Sequence, residues 1–350
     1  MPLTKGSAIG GRYTLRRPLG EGGVGVVWEA DSALFGPVAV KLLRSELARD
    51  PDAVERFAAE ARSAAAISHP HVIAIYDIGA TIDEVPFFVM ELCDGETLES
   101  VVASRGAVGF EYACELSCQV LGALAAAHDH GIVHRDLKPG NIMVVHPEPD
   151  KHEVKVLDFG IACRVSSEPA TPAGKVYGTP SYMAPEQILG RAVDQRVDLY
   201  AVGAILYELL TGRRPFQGRN DAEIMTHVLQ RPPMPLRAYD RTLPAALEEL
   251  IRRCLSKDPA RRPASAKELL GELVKFLPPQ ARGALLSTPK RERRKSLPLP
   301  LVKRTSDAVE DVHSEPALPL VKRGSATGPG SKRRAVLELV GDATNPGDDE

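Results

Sequence analysis

Apolar residues between positions 13 and 45 come in short runs: Val24, Val26, Val27 and Trp28, then Val38, Ala39 and Val40. Glycine and proline bound each run. Such runs read as strands. At Asp50-Pro51 the pattern changes. Aspartate suits an N-cap and proline the first helical position, and Val54, Phe57, Ala61, Ala64 and Ala65 then recur at helical spacing. Beyond about residue 95 the long segments predict helices, at roughly 97–104, 109–130, 197–211, 220–229, 244–255 and 264–275. Strands first and helices afterwards give an α+β fold, a small β-rich lobe on a larger helical one. The longest apolar stretch, Leu199 to Leu210, has twelve residues with Glu208 inside. A bilayer span needs about 20, so the stretch reads as a buried core helix. At Pro278-Pro279 the texture turns to Pro, Ser, Lys, Arg and Gly, with one apolar patch at Ala335 to Val340. A segment of that kind cannot bury enough surface to offset its ordering entropy, so residues 278–350 read as a disordered tail.

Composition adds exclusions. The chain has 350 residues, 43% hydrophobic and 26% charged, with a net charge of −2. That is ordinary for a globular protein, and it gives no whole-protein case for binding nucleic acid or a membrane surface. The five cysteines, Cys93, Cys114, Cys118, Cys163 and Cys254, form no C-x-x-C pair. They read as small buried apolar residues in a reduced setting rather than as disulfides or zinc ligands. Met1 to Gly11 has no apolar signal-peptide core. The expectation is a cytoplasmic protein.

Four segments carry chemistry. The first, G-E-G-G-V-G from Gly20 to Gly25, is weak by itself, and its main rival is a dinucleotide loop that opens a helix. Here V-V-W-E-A follows, which reads as strand. A glycine loop between two strands lets backbone N–H groups approach phosphates. The second is Lys41, closing the apolar strand V-A-V-K, where a lysine needs a partner. Glu60 is the natural one, three residues after Phe57 and four before Ala64 on the helix face that meets the sheet. The third is H-R-D-L-K-P-G-N, His134 to Asn141, and the fourth V-L-D-F-G, with Asp158, Phe159 and Gly160. Two carboxylates and an amide on loops behind a phosphate-binding lobe are hard oxygen ligands of the kind Mg2+ takes.

Together these segments resemble the signature of bacterial eukaryotic-like (Hanks-type) serine/threonine protein kinases over about residues 13–275. The resemblance implies a short N-terminal extension at 1–12 and a two-lobed kinase domain at 13–277. Its small lobe would run to about 90, its hinge over 91–95 and its large lobe from 96, with the tail beyond. It implies ATP and Mg2+ as cofactors and protein Ser/Thr hydroxyls as substrates. Leu19, Gly20, Glu21, Gly22, Gly23, Val24, Gly25, Val26, Val27, Ala39 and Met143 would surround the nucleotide. Lys41 would hold the α- and β-phosphates and pair with Glu60. Met90 resembles the gatekeeper, and Glu91 to Cys93 the hinge whose backbone reads adenine. Asp136 would accept or orient the substrate hydroxyl proton, Lys138 would steady the transferring phosphoryl group, and Asn141 and Asp158 would hold magnesium. Ala184-Pro185-Glu186 looks like the end of the activation segment, with Glu186 paired to Arg262, and Asp198 resembles the brace of the H-R-D loop. Lys138 and Thr179 favour Ser/Thr over Tyr substrates. Arg135 implies regulation by a phosphorylated loop residue, with Thr171 leading and Ser166 or Ser167 behind it.

Some features stand outside the resemblance. Cys163 follows D-F-G-I-A where arginine is common, and the polar insertion His146–Glu153 reads as a longer loop. The tail repeats L-P-L-V-K-R at 299–304 and 318–323, and residues 282–304 hold eight Lys/Arg against the single acid Glu292. It reads as a solvated linker, with a tether for an anionic partner as the alternative. Ser296, Ser306 and Ser325 each follow two basic residues, a pattern for self-modification; Glu96 resembles an acid that selects arginine at minus three, while Gly140 stands where a second acid is common. Self-association stays open, nucleic acid is not expected, and the competing function is a pseudokinase scaffold.

Overall fold

The computed structural model describes residues 3–148, 151–159 and 179–286. The activation-loop candidates Ser166, Ser167 and Thr171, together with Cys163 and the tail serines, lie outside the described residues.

Strand order in the first sheet follows from short connections. Strands β1 (Ala8–Ile9), β2 (Tyr13–Glu21), β3 (Gly25–Ser32) and β4 (Gly36–Leu43) are successive antiparallel neighbours. After helix α1 (Pro51–Ala66) come β5 (Ile75–Ala80) and β6 (Pro86–Glu91). The order is β1-β2-β3-β4-β6-β5, with β6 beside β4 and β5 at the edge. Period-two alternation splits β4. Val38, Val40 and Leu42 join Trp28, Phe87 and Val89 in one core, which leaves Ala39 and Lys41 on the other face. Helix α1 covers that face: Phe57 meets the Phe88 ring at 5.0 Å. Asp50 caps α1 by accepting from the Asp52 N–H at 3.0 Å, and Pro51 sits at its first position, as the sequence predicts.

The larger lobe is helical: α2 (Leu98–Arg105), α3 (Phe110–Asp129), α4 (Pro185–Ile188), α5 (Arg196–Thr211), α6 (Asp221–Gln230), α7 (Ala245–Cys254), α8 (Ala266–Leu273) and α9 (Pro279–Leu286). A second sheet, β7 (Gly95–Thr97), β8 (Ile142–Glu148) and β9 (Lys151–Val156), lies in this lobe. Helix α5 is buried nearly all round, which explains its apolar sequence without a membrane. Among the described residues no helix is long and apolar enough to cross a bilayer.

Several segments carry more structure than the sequence reading foresaw. Within the 1–12 extension, Ala8 pairs with Thr14, Ile9 pairs with Tyr13, and Ile9 is buried in the small-lobe core. Regular structure also continues past 278. Helix α9 starts at Pro279, Ala281 and Leu285 pack on the large core, and the Arg282 guanidinium donates to the Leu277 and Lys275 carbonyls at 2.6 and 2.7 Å. Proline stops a helix but also starts one, and composition alone hid the second role. The helix expected at 264–275 ends at Leu273 and tightens into a 3-10 turn, Val274–Phe276. In the His146–Glu153 insertion the described residues, 146–148 and 151–153, are strand, the distal part of β8 and β9, rather than loop.

Candidate active site

The glycine loop is the β2–β3 turn. Gly22 N–H donates to the Gly25 carbonyl at 2.9 Å, and Gly20 pairs with Val27. Only Gly25 is demanded by the protein itself, since a Cβ there would lie 2.4 Å from the Leu42 carbonyl oxygen. At Gly20 and Gly23 a Cβ would meet no protein atom within 4 Å, and at Gly22 only the Gly25 carbonyl at 4.0 Å. Their bareness is therefore space left on the exposed side of the loop, a cradle suited to phosphates. Arg44, which the sequence reading missed, pins the turn: its guanidinium donates to the Gly22 carbonyl at 2.9 Å and pairs with Glu21 at 2.7 Å. Leu19 and Val24 are exposed and Val26 and Val27 half-buried.

Beneath the loop, Lys41 Nζ lies 2.6 Å from Glu60 Oε1 and 2.9 Å from Asp158 Oδ1. One ammonium thus serves two carboxylates. Burial works against the charged lysine, but Asp158 and Glu60 outweigh it and raise its pKa. Burial, then the Asp158 charge, push the Glu60 carboxyl up to about 8, while Asp158 is held low against burial by the Lys41 ammonium. The half-exposed Asp158 carboxylate, kept ionised by Lys41, suits a divalent cation. Asn141 fits as well. Its amide nitrogen donates to the Asp136 carbonyl at 2.8 Å, which turns its oxygen, the hard ligand atom, away from that bond.

The β8–β9 hairpin carries these two residues to one place. Asn141 immediately precedes β8, Asp158 follows β9 by two residues, and the Leu157 N–H donates to the Asn141 carbonyl at 2.9 Å. Lys138 Nζ donates to Asp136 Oδ2 at 2.8 Å. Buried Asp198, in the first turn of α5, accepts the backbone N–H groups of His134 and Arg135, both at 2.9 Å, and meets His128 Nε2 at 2.8 Å. Arg135 and Asp158 have φ of 64° and 49°, in the left-handed region. For non-glycine residues that conformation costs roughly 1–3 kcal/mol and persists only where neighbours over-determine it. At Arg135 they do, because Gln187 also donates to its carbonyl at 2.8 Å. Phe159, fully buried, meets the His134 ring at 5.0 Å with the two planes tilted by 51°.

The remaining expected residues fall around this centre. Ala39 is buried and pairs with half-buried Met90 across β4 and β6. Glu91 N–H donates to the Ala74 carbonyl at 2.9 Å, and its carboxylate pairs with buried Lys155 at 3.1 Å, a contact the sequence reading missed. Cys93 is half-buried, and Met143 lies on β8 opposite Thr97. Gly95, also missed, lets β7 approach β8: a Cβ there would sit 2.1 Å from the Val144 carbonyl oxygen. Glu186 and Arg262 form the expected buried pair, bidentate at 2.6 and 2.8 Å, with Arg262 4.9 Å over the Tyr200 ring. Thr179 precedes the turn Pro180–Tyr182, where its side chain caps nothing. Cys114, Cys118 and Cys254 are buried free thiols pushed up by burial, Cys114 and Cys254 to about 12, as inert core residues should be.

Known proteins share this arrangement. Residues 13–273 match the protein kinase domain family. Serine/threonine-protein kinase Pkn1 of Myxococcus xanthus is 46% identical over 258 residues, 73% of this chain and 37% of that protein. PknA of Mycobacterium tuberculosis is 41% identical over 262 residues, 73% of this chain and 59% of its own length. This chain therefore spans less than two thirds of the length of either relative. The crystal structure of the Mycobacterium tuberculosis PknI kinase domain superposes with a TM-score of 0.62 at 28% identity, covering 78% of this chain and 99% of that one. With the glycine loop, the Lys41 ion cluster and the Asp136 loop set on this scaffold, the chain belongs to the protein kinase family.

Proposed function

We propose that this chain is an active serine/threonine protein kinase that transfers the γ-phosphate of Mg-ATP to protein hydroxyls, its own among them. The observation that carries the reading is the joint presence of the buried Lys41–Glu60–Asp158 cluster and the Asp136–Lys138 pair on a loop held by Asp198. Phosphoryl transfer needs an in-line hydroxyl and fixed positive charge around the phosphate oxygens, and little else from the protein. The glycine loop supplies N–H groups, Lys41 the ammonium for the α- and β-phosphates, and the hinge at Glu91 to Cys93 the backbone for adenine. Asn141 and Asp158 would hold magnesium, which neutralises phosphate charge when bound. Asp136 orients the substrate hydroxyl and takes its proton as the oxygen bonds to the γ-phosphorus and the bridging oxygen leaves with ADP. Lys138 screens the charge that passes beside Asp136.

The pseudokinase alternative requires a missing lysine or aspartate, and Lys41, Asp136 and Asp158 are all in place. Regulation through phosphorylated Thr171 and Arg135, a basic tail that meets anionic partners, a cytoplasmic setting and a domain running from about residue 8 to 286 belong to the same proposal. The test is labelled ATP and a generic basic protein substrate, with Asp136→Asn and Lys41→Met as controls. Asp136→Asn should lose transfer by roughly a thousandfold or more while still binding ATP, since the residue acts on the hydroxyl. Wild-type rates in either variant would sink the assignment.

A further inference from the structure

Two histidines on the β8–β9 hairpin have no part in phosphoryl transfer. His146 lies on β8 and His152 on β9, and the strands pair Val145 with Glu153 just below them and Glu148 with Lys151 above. Their Nδ1 atoms face each other at 2.9 Å, with the rings edge to face at 5.0 Å. Two neighbours hold His152 still. Buried Gln119 of α3 donates to the His152 carbonyl at 2.9 Å and accepts from the Val154 N–H at 2.7 Å. The Tyr112 ring meets the His152 ring edge-on at 4.9 Å. The Tyr112 hydroxyl is itself buried without a hydrogen-bond partner among the described residues. The pair is thus rigid on one side and exposed on the other, since His146 is open to solvent.

We propose that His146 and His152 form a two-ligand site for a borderline divalent transition cation, Cu2+ or Ni2+ before Zn2+. Two nitrogens 2.9 Å apart subtend about 90° at a metal about 2.0 Å from each, the cis angle of a tetragonal or octahedral ion and narrower than a tetrahedral one. Imidazole suits these metals, and affinity for nitrogen sites rises from Ni2+ to Cu2+ and falls at Zn2+. Among the described residues no group of three or more His, Cys, Asp or Glu is placed around a metal, so water completes the shell. Mg2+, a hard ion that keeps oxygen ligands, does not compete. In the neutral pair one Nδ1–H donates to the other Nδ1; binding moves that proton to the outer nitrogen of the same ring and leaves both Nδ1 lone pairs on the metal.

The location gives the site a consequence. The hairpin's two ends lead directly into Asn141 and Asp158. A metal held by His146 and His152 cross-links β8 to β9 and stiffens the element that sets the spacing of those two residues.

The test uses the full chain in nucleotide-free buffer at about pH 7.5, because ATP would itself bind the metal. Calorimetric titration with NiCl2 is run on wild type, His146→Gln and His152→Gln, with nitrogen-15 spectra of the imidazole side chains. We expect a single saturable site in wild type, Ni2+ broadening at His146 and His152 before the other histidines, and affinity lower by more than about tenfold in each variant. Thermal melts should rise with metal in wild type alone. Absence of saturable binding, wild-type affinity in either variant, or first broadening at a different histidine each overturns the site. Neither residue touches the Lys41 or Asp136 clusters, so failure here leaves the kinase reading intact, and failure of that reading leaves this titration interpretable.

Discussion

Lys41 has two carboxylates to satisfy and one charge to offer. The excess falls on Glu60, whose carboxyl is pushed from its ordinary 4.5 up to about 8 by burial and by Asp158. Between those values the folded protein holds a proton that the unfolded chain has released, so stability falls as pH rises from about 5 to about 8. Asp158, held low, contributes in the opposite sense, but its loss comes only in acid, below this window. Thermal melts of nucleotide-free protein between pH 5.5 and 8.5 should therefore slope downward (roughly, by linkage). Glu60→Gln should flatten that slope, and an unchanged slope would show that Glu60 is ionised throughout. A second residue-scale expectation concerns Arg262. It is fully buried on two bonds to Glu186, so Arg262→Ala strands a buried carboxylate. The loss should be about 3–5 kcal/mol in urea unfolding, far more than any surface pair in this chain would cost. Residue chemistry was the most legible layer of the sequence: the Lys41–Glu60 and Glu186–Arg262 pairs read from it are formed. What the motifs did not carry was support. Arg44 on the glycine turn and Lys155 on Glu91 are ordinary charged residues, and only three-dimensional neighbours give them meaning.

Among the elements, the glycine turn separates two uses of one residue type. Gly25→Ala must push against the Leu42 backbone, because the clash is with a carbonyl and no side chain can yield. It should destabilise by about 1–3 kcal/mol and raise the KM for ATP. Gly20→Ala meets no protein atom, so its stability should stay near wild type and any change should appear in nucleotide affinity alone. Melts and ATP titrations of the two variants separate these outcomes. From sequence the two glycines look alike, since the difference lies in the distance between β3 and β4. The same holds for Gly95, which no motif marks and which β8 approaches more closely than any side chain allows. Helices were easier. Asp50-Pro51 announced α1, and the apolar period of α3 and α5 survived in the structure within two residues at each end. The β8–β9 hairpin was misread because its outer strands carry histidine, glutamate and lysine, and charge on an exposed edge looks like loop.

At the scale of the molecule, the boundary of the folded domain matters for any shortened chain. A protein ending at residue 277 loses Ala281, Leu285 and the Arg282 bonds to Leu277 and Lys275, so it should melt several degrees below one ending near 287. Equal melting temperatures would mean that α9 adds nothing to the large core. Composition read the whole segment after 278 as tail because eight residues of amphipathic helix are too short to shift an average. The single tryptophan adds an optical consequence. Trp28 is buried in the core shared by β1, β2, β3, β4 and β6, and among the described residues no helix of the larger lobe contributes to that cluster. Its emission is a local thermometer for the small lobe, blind to the helices, whereas far-ultraviolet dichroism is dominated by those helices. Urea curves followed by the two signals should coincide if the lobes melt together. If they part, the gap between the midpoints measures how far one lobe outlasts the other, with no label introduced.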